Sequence, residues 1–246
     1  MPHFIINSNS VNIDEIRVSD KELYTHIAKS LRIKQGETLL FIDENEIQYI
    51  TKVVEITNKE IYTKVVDSYK SKRKLSFDLK LAQSVLKPDA QFNVIQKATE
   101  LGIKTIIPLI TDNCAVKESI IKAKNEKWQK IALESVKQCE RADIPEVMPC
   151  QKLDESFFDQ GYTFIAFVER NESYTLSEYL NKVSINESKP IVAIIGPEGG
   201  FSQREFDLFT KRNIPQVSLG NLIYRADTAS TVAIANLIFG INHVKS

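Results

Sequence analysis

Near its end the chain runs through a short aliphatic stretch and stops on a cluster of glycines: residues 191 to 202 read IVAIIGPEGGFS. The apolar run has strand character, and the glycines that end it leave backbone polar groups that a ligand can approach without side-chain obstruction. A second segment repeats the arrangement. Residues 217 to 230, VSLGNLIYRADTAS, pass from an apolar run through Gly220 to Arg225, Asp227 and Thr228, just ahead of an apolar helix. A strand that ends in a glycine turn and feeds a helix is the unit of an α/β sheet, whose ligands bind beyond the carboxyl ends of the strands.

The rest of the C-terminal part follows the same rhythm. LSFDLKLAQ, FNVIQKATELG and IKTIIPLI read as strand, helix and strand, and a long amphipathic stretch covers residues 125 to 141. TFIAFVE and PIVAIIG are further apolar strands, each ahead of a helical segment. This alternation predicts a parallel sheet with helices on both faces. Residues 228 to 244 carry Val232, Ala235, Ile238, Phe239 and Ile241, a helix too apolar to face water on all sides. Residues 4 to 69 differ: TLLFID, IQYITKVVEI and IYTKVVDS are β-branched runs between turns, which predicts a small barrel or sandwich. One helix interrupts them at residues 21 to 31, with Leu23, Ile27 and Leu31 on one stripe. Lys70, Lys72, Arg73 and Lys74 then read as a basic linker.

With 246 residues the chain can form two domains, each with its own core. Its 32 basic and 32 acidic residues exclude a polybasic tail that binds nucleic acid by counterion release alone, while a local basic face stays open. Cys114, Cys139 and Cys150 show no CxxC spacing, and His3, His26 and His243 lie far from them, so neither a metal site nor a disulfide framework is expected. The start MPHFIINSNS lacks a basic region and a long apolar core, and no stretch is apolar enough to span a bilayer. A reduced, cytoplasmic setting without membrane contact is the expectation.

GPEGG is neither a P-loop, since GxxxxGK with Ser or Thr is absent, nor GxGxxG. Alone it could be mere punctuation between strand and helix, and Arg225 a surface residue with a carboxylate partner. Asp227 and Thr228 could cap the following helix. Glu100 and Arg141 read as ion-paired surface residues unless they meet in one cleft. Trp128, at helical spacing with Ile131 and Ala132, fits core or interface packing, and Cys114 and Cys139 fit as small core residues.

Five segments in order, HIAKSLRIKQGE, QKATELGIKTIIPL, KWQKIALESVKQCERADIPEV, GPEGGFSQREF and LGNLIYRADTAS, resemble the signature segments of the RsmE family across nearly the whole chain. Members of that family are 16S ribosomal RNA methyltransferases of the SPOUT class that modify N3 of uridine 1498. The resemblance implies a PUA-like β-barrel for RNA at residues 1 to 72. It implies an α/β domain with a trefoil knot at residues 73 to 246, binding S-adenosylmethionine. It also implies a homodimer acting on 16S rRNA or the small ribosomal subunit. FVER, GPEGGF and LGNLIYRADT would be the three loops around the cofactor, with Val168, Glu169, Gly196, Pro197, Gly199, Gly200, Leu219, Gly220, Ile223 and Thr228 as the binding residues. The chain departs from the pattern at Asn221 for proline, Leu222 for arginine, Asp227 for glutamate and Asn113 for arginine, and it has QCER for QSGR.

Methyl transfer to a ring nitrogen requires positioning first and then an acceptor for the N3 proton. Glu198 and Asp227 are the candidate acceptors, and Arg225 the candidate stabiliser of a uracil oxygen or anchor of a phosphate. Arg32, Lys34, Lys72, Arg73, Lys97 and Arg141 are the candidate RNA contacts. Two rivals stay open: a nucleotide-binding phosphotransferase, and an RNA-binding homologue that has lost its chemistry.

Overall fold

The computed structural model describes residues 3–169, 174–182 and 187–243. Contacts divide the chain into two compact units, 1–74 with 136–143 and 75–135 with 144–246.

The first unit is built on a six-stranded mixed sheet. Strands β1 (His3–Ile5), β2 (Val11–Asn12), β3 (Glu15–Val18), β4 (Thr38–Ile42), β5 (Ile47–Ile56) and β6 (Ile61–Lys70) lie in the order β1-β4-β5-β6-β3-β2. Only β1 and β4 pair in parallel. Period-2 alternation sets the faces: in β3, Ile16 and Val18 are buried between the exposed Glu15 and Arg17. Phe4, Leu39, Phe41, Val53 and Ile61 join them in one core. The expected helix is α1 (Lys21–Tyr24), started by Asp20 accepting the Leu23 amide at 2.8 Å and continued as a wider turn, Thr25–Ser30. Ile27 enters the core, but Leu31 is 44% exposed, because the chain leaves the helix at Ser30 and the stripe ends with it.

The second unit is a parallel sheet with helices on both faces. Its elements are β7 (Leu79–Ser84), α2 (Pro88–Glu100), β8 (Thr105–Ile110), α3 (Glu118–Lys122), α4 (Asn125–Cys139), β9 (Glu146–Val147), β10 (Gln151–Lys152), β11 (Thr163–Phe167), α5 (Leu176–Lys182), β12 (Ile191–Ile195), α6 (Gln203–Lys211), β13 (Gln216–Val217) and α7 (Ala226–His243). The strand order is β10-β8-β7-β12-β11-β13, with β9 beside β8, and every pair is parallel. Strands covered on both sides read as continuous apolar runs. Ile191, Ala193 and Ile195 of β12 face one core, shared with Leu79, Leu81, Ile95, Trp128, Ile234 and Leu237. Val192 and Ile194 face the other, shared with Phe158, Phe164, Phe201 and Phe209.

Helix α7 is the apolar C-terminal segment, and it packs on α2, α5 and β12. Its buried side is Ser230, Ala233, Ile234, Leu237 and Ile241, whereas Phe239 is 64% exposed. Gly240 lets α5 approach: a Cβ at this position would overlap Leu180 Cδ1. Among the described residues no helix is long and apolar enough to cross a membrane, and no cluster of His, Cys, Asp and Glu could hold a metal ion.

Candidate functional site

Three chain segments leave the carboxyl ends of adjacent strands of the second unit and enclose a cavity of about 520 Å³. Phe167, Val168 and Glu169 follow β11; Ile195 to Phe201 follow β12; Leu219 to Tyr224 follow β13. Phe206 of α6 and Ala226 and Ala229 of α7 complete the wall. The walls are mostly aliphatic and aromatic, and the glycine turns contribute bare backbone. A cavity of a few hundred cubic ångströms with apolar walls and a few polar groups suits a small organic ligand.

The glycine turn is held by the loop that follows β8. Asn113 Nδ2 donates to the carbonyl oxygens of Gly199 and Gly200 at 3.3 and 3.1 Å. Gly200 has φ +69°, a left-handed conformation that a side chain would strain. Behind the turn α6 begins with a reciprocal cap. Ser202 Oγ accepts from the Glu205 amide, and Glu205, fully buried, accepts from the amides of Ser202 at 2.8 Å and Asp112 at 3.0 Å. Asp112 in turn accepts two hydrogen bonds from Arg204, both at 2.8 Å, and one from Ser202 Oγ. The Arg204 guanidinium, with help from the Ser202 hydroxyl, holds the Asp112 carboxyl below its usual range. The Ser-x-x-Glu spacing at residues 202 to 205 is a legible signal of this cap that the motif reading passed over.

Nine of the ten expected cofactor residues line the cavity: Val168, Glu169, Gly196, Pro197, Gly199, Gly200, Leu219, Gly220 and Ile223. Thr228 does not. It is exposed on α7, because the helix starts at Ala226 and carries residue 228 past the wall. The same early start corrects the capping alternative: Asp227 and Thr228 stand inside the first turn, past the cap position, where the Asp227 carboxylate complements the helix dipole. Among the expected catalytic residues, Glu198 lines the cavity, and its Oε1 accepts the Lys87 amide at 3.3 Å, at the start of α2. Arg225 and Asp227 flank the wall residues Tyr224 and Ala226 without lining the cavity. The Arg225 side chain is 84% exposed, with its Nε 3.7 Å from Asp227 Oδ1. Arg170 of FVER and Val244 of the last segment lie outside the described residues.

The basic residues divide by environment. Arg32, Lys34 and Lys72 are exposed. Arg73 pairs with Glu140 and Lys74 with Glu46, so the basic stretch that reads as a linker carries ion pairs, and it ends at the boundary of the first unit's leading segment. Lys97 pairs with Glu100 at 2.9 Å on the surface of α2. Arg141 is corrected as an RNA contact: it is 4% exposed, and its guanidinium makes two hydrogen bonds to Asp143 at 3.1 and 2.7 Å. Charge placed it on the surface, whereas the fold uses it internally. Trp128 is a core residue, 7% exposed.

The model of the RNA methyltransferase domain matches residues 73–238. Among curated proteins, the ribosomal RNA small subunit methyltransferase E of Aquifex aeolicus is 30% identical over 212 residues, covering 84% of this chain and 87% of the relative. That of Bacillus subtilis is 25% identical over 248 residues, covering 97% and 96%. Among solved structures, a ribosomal RNA small subunit methyltransferase E from Neisseria gonorrhoeae bound to S-adenosylmethionine superposes with a TM-score of 0.81 at 22% identity, covering 96% of both chains. A Legionella pneumophila chain described as a methyltransferase in complex with the same cofactor gives 0.80 at 25% identity, again over 96% of both. The ordered motifs, the parallel sheet with its three post-strand loops and the length of these matches agree: the chain belongs to the ribosomal RNA small subunit methyltransferase E family of RNA methyltransferases.

Proposed function

We propose that the protein methylates N3 of a uridine in 16S ribosomal RNA with S-adenosylmethionine as donor, the uridine being the family's residue 1498. The observation that carries this reading is the convergence of the segments after β11, β12 and β13 on one cavity. The residues present fit the cofactor: apolar walls at Phe167, Val168, Ile195 and Leu219 suit an adenosyl group, and backbone groups of the GPEGG and LGN turns suit its polar edges. No lysine is among the described lining residues, which weighs against a triphosphate and so against a phosphotransferase. When bound, S-adenosylmethionine supplies an electrophilic methyl group on a sulfonium.

The chain's own residues then have three tasks. The cavity wall would hold the donor beside the uracil nitrogen, where proximity lowers the barrier. Glu198 or Asp227 accepts the N3 proton. Arg225, solvent-exposed beside the wall, reaches a uracil oxygen or a phosphate with a paired donor. An unpaired or flipped base is required, since N3 lies on the edge that pairing hides. Residues 1–72 form the RNA-binding, PUA-like unit, and 73–246 the SPOUT methyltransferase domain. Arg32, Lys34, Lys72, Arg73 and Lys97 contact phosphates.

The same reading carries a trefoil knot, a homodimer and a cytoplasmic location. Support for the knot is that β13 pairs outside β11 while the chain after it returns as α7 to pack on β12. Exposed Phe92 and Phe239, on the packed helices α2 and α7, support an apolar face that a second copy covers. Mass spectrometry of small-subunit rRNA from cells lacking the protein tests the function. One missing N3-methyluridine, restored by the wild-type chain, is expected; an unchanged methylation pattern with intact S-adenosylmethionine binding would instead identify an RNA-binding homologue without chemistry.

A further inference from the structure

Gln83, the penultimate residue of strand β7, near its carboxyl end, is fully buried. A polar side chain with no access to water persists there only if its hydrogen bonds are made. Its Nε2 lies 2.8 Å from the Ser84 carbonyl oxygen and 3.2 Å from that of Gly196. Two carbonyl acceptors on one side fix the amide orientation, which leaves Oε1 to accept from a donor on the other side. That donor is the Ser230 hydroxyl, 1% exposed on α7, whose one proton is shared with the Ala226 carbonyl oxygen 2.8 Å away. Gly196 opens the GPEGG turn, and Ser230 follows directly on Ala229, one of the two α7 residues in the cavity wall. β7 itself contributes none of the described lining residues, yet one of its side chains is bonded to two separate walls.

We propose that Gln83 is a positioning residue for the cofactor cavity, clamping the Gly196 carbonyl against the first turns of α7. This rests on the cavity being the S-adenosylmethionine site. Without the amide, the Gly196 carbonyl loses its buried donor and rotates toward any other donor or water, so the turn spends less time in the shape that binds. Affinity falls in proportion to the binding-competent fraction, so a turn left one-tenth competent binds about tenfold more weakly.

The test combines titration calorimetry with S-adenosylhomocysteine and amide hydrogen exchange of the ligand-free protein. Gln83→Met keeps the volume and removes all three hydrogen bonds. It should weaken binding about tenfold and speed exchange at residues 196–201 and 226–234, with residues 94–98 of α2 unchanged. Gln83→Glu supplies a buried carboxyl that is raised in pKa and can donate to Gly196 only when protonated. Its affinity should therefore be weak in mildly alkaline buffer and recover on acidification, relative to wild type at each pH. Ser230→Ala removes only the α7 arm and should weaken binding by less than Gln83→Met. Binding of Gln83→Met within about twofold of wild type, with exchange unchanged, overturns the clamp. Should Gln83→Met fail to fold, a Gln83→Glu affinity that does not recover on acidification overturns it equally. If wild type itself does not bind S-adenosylhomocysteine, the functional reading fails, while the exchange comparison still decides whether Gln83 holds the turn.

Discussion

Replacing Glu205 by alanine takes a carboxylate out of a site with no solvent access and strands two backbone donors, the amides of Asp112 at 3.0 Å and Ser202 at 2.8 Å. Hydrogen bonds to a charged acceptor contribute about 1.5–3 kcal/mol each, so two set a ceiling of about 6 kcal/mol. Both amides belong to half-buried or exposed residues that water can partly reach once the side chain is gone. This lowers the expected loss to about 3–5 kcal/mol, still large for a single substitution. In a domain of this size each kcal/mol lowers the thermal midpoint by about 2–4 °C, which gives a drop of about 6–20 °C. Glu205→Gln keeps one acceptor oxygen but sets its NH₂ against the second amide, so it should fall between alanine and wild type. Ser202→Ala removes only the cap hydroxyl, at about 1 kcal/mol. Urea unfolding followed by circular dichroism, with thermal scans in parallel, measures all three. A Glu205→Ala loss under about 1 kcal/mol, or a Gln variant worse than alanine, would refute the assignment of the carboxylate as the tie between the loop after β8 and α6.

Arg225→Ala should lose turnover on small-subunit RNA while keeping S-adenosylmethionine affinity in calorimetry, because its guanidinium lies outside the cavity wall; unchanged turnover discards its role. Gly240→Ala should destabilise by about 1–3 kcal/mol in urea unfolding, since the new methyl overlaps Leu180 where α5 and α7 touch, and the double variant with Leu180→Ala should lose less than the sum of the two single losses. Burial, the largest influence on His3, pushes its imidazole below the ordinary histidine range; Arg73 adds to this and Glu140 opposes it. The folded state therefore favours the neutral ring, and the unfolded chain takes up the proton first. Stability from His3 is full above the ordinary histidine pKa and is lost as pH falls below it toward the depressed folded value. Thermal midpoints of wild type should fall between neutral and mildly acidic pH, and those of His3→Phe should fall less; parallel curves would sink this reading.

The stretch after β6 shows what local charge leaves out. The basic run that reads as a linker ends where the first unit's leading segment ends, at Lys74, but nothing in a run of cations reveals its partners, and Glu46 and Glu140 are distant in the chain. Arg141 failed as an RNA contact for the same reason, its burial being set by packing and not by its own chemistry. The expected stripe fails only at Leu31, one residue past the end of the helical turns, since the widened turn at Thr25–Ser30 has no signature in spacing.

Read alone, the sequence determined the longer strands and helices of both units, the parallel character of the second sheet and the stop at GPEGG, while short elements such as β2, β9, β10 and α3 left no pattern to read. Side-chain period and the steric freedom of glycine act over a few residues and are written in the chain itself. Only the tertiary structure decided that β12 lies between β7 and β11, that β13 closes the far side, and that three loop segments therefore share one cavity. It alone disclosed Gln83, whose partners Gly196 and Ser230 are 113 and 147 residues away along the chain. Hydrogen bonds of that range carry no local signal, because they exist only once the strand order has brought their ends together.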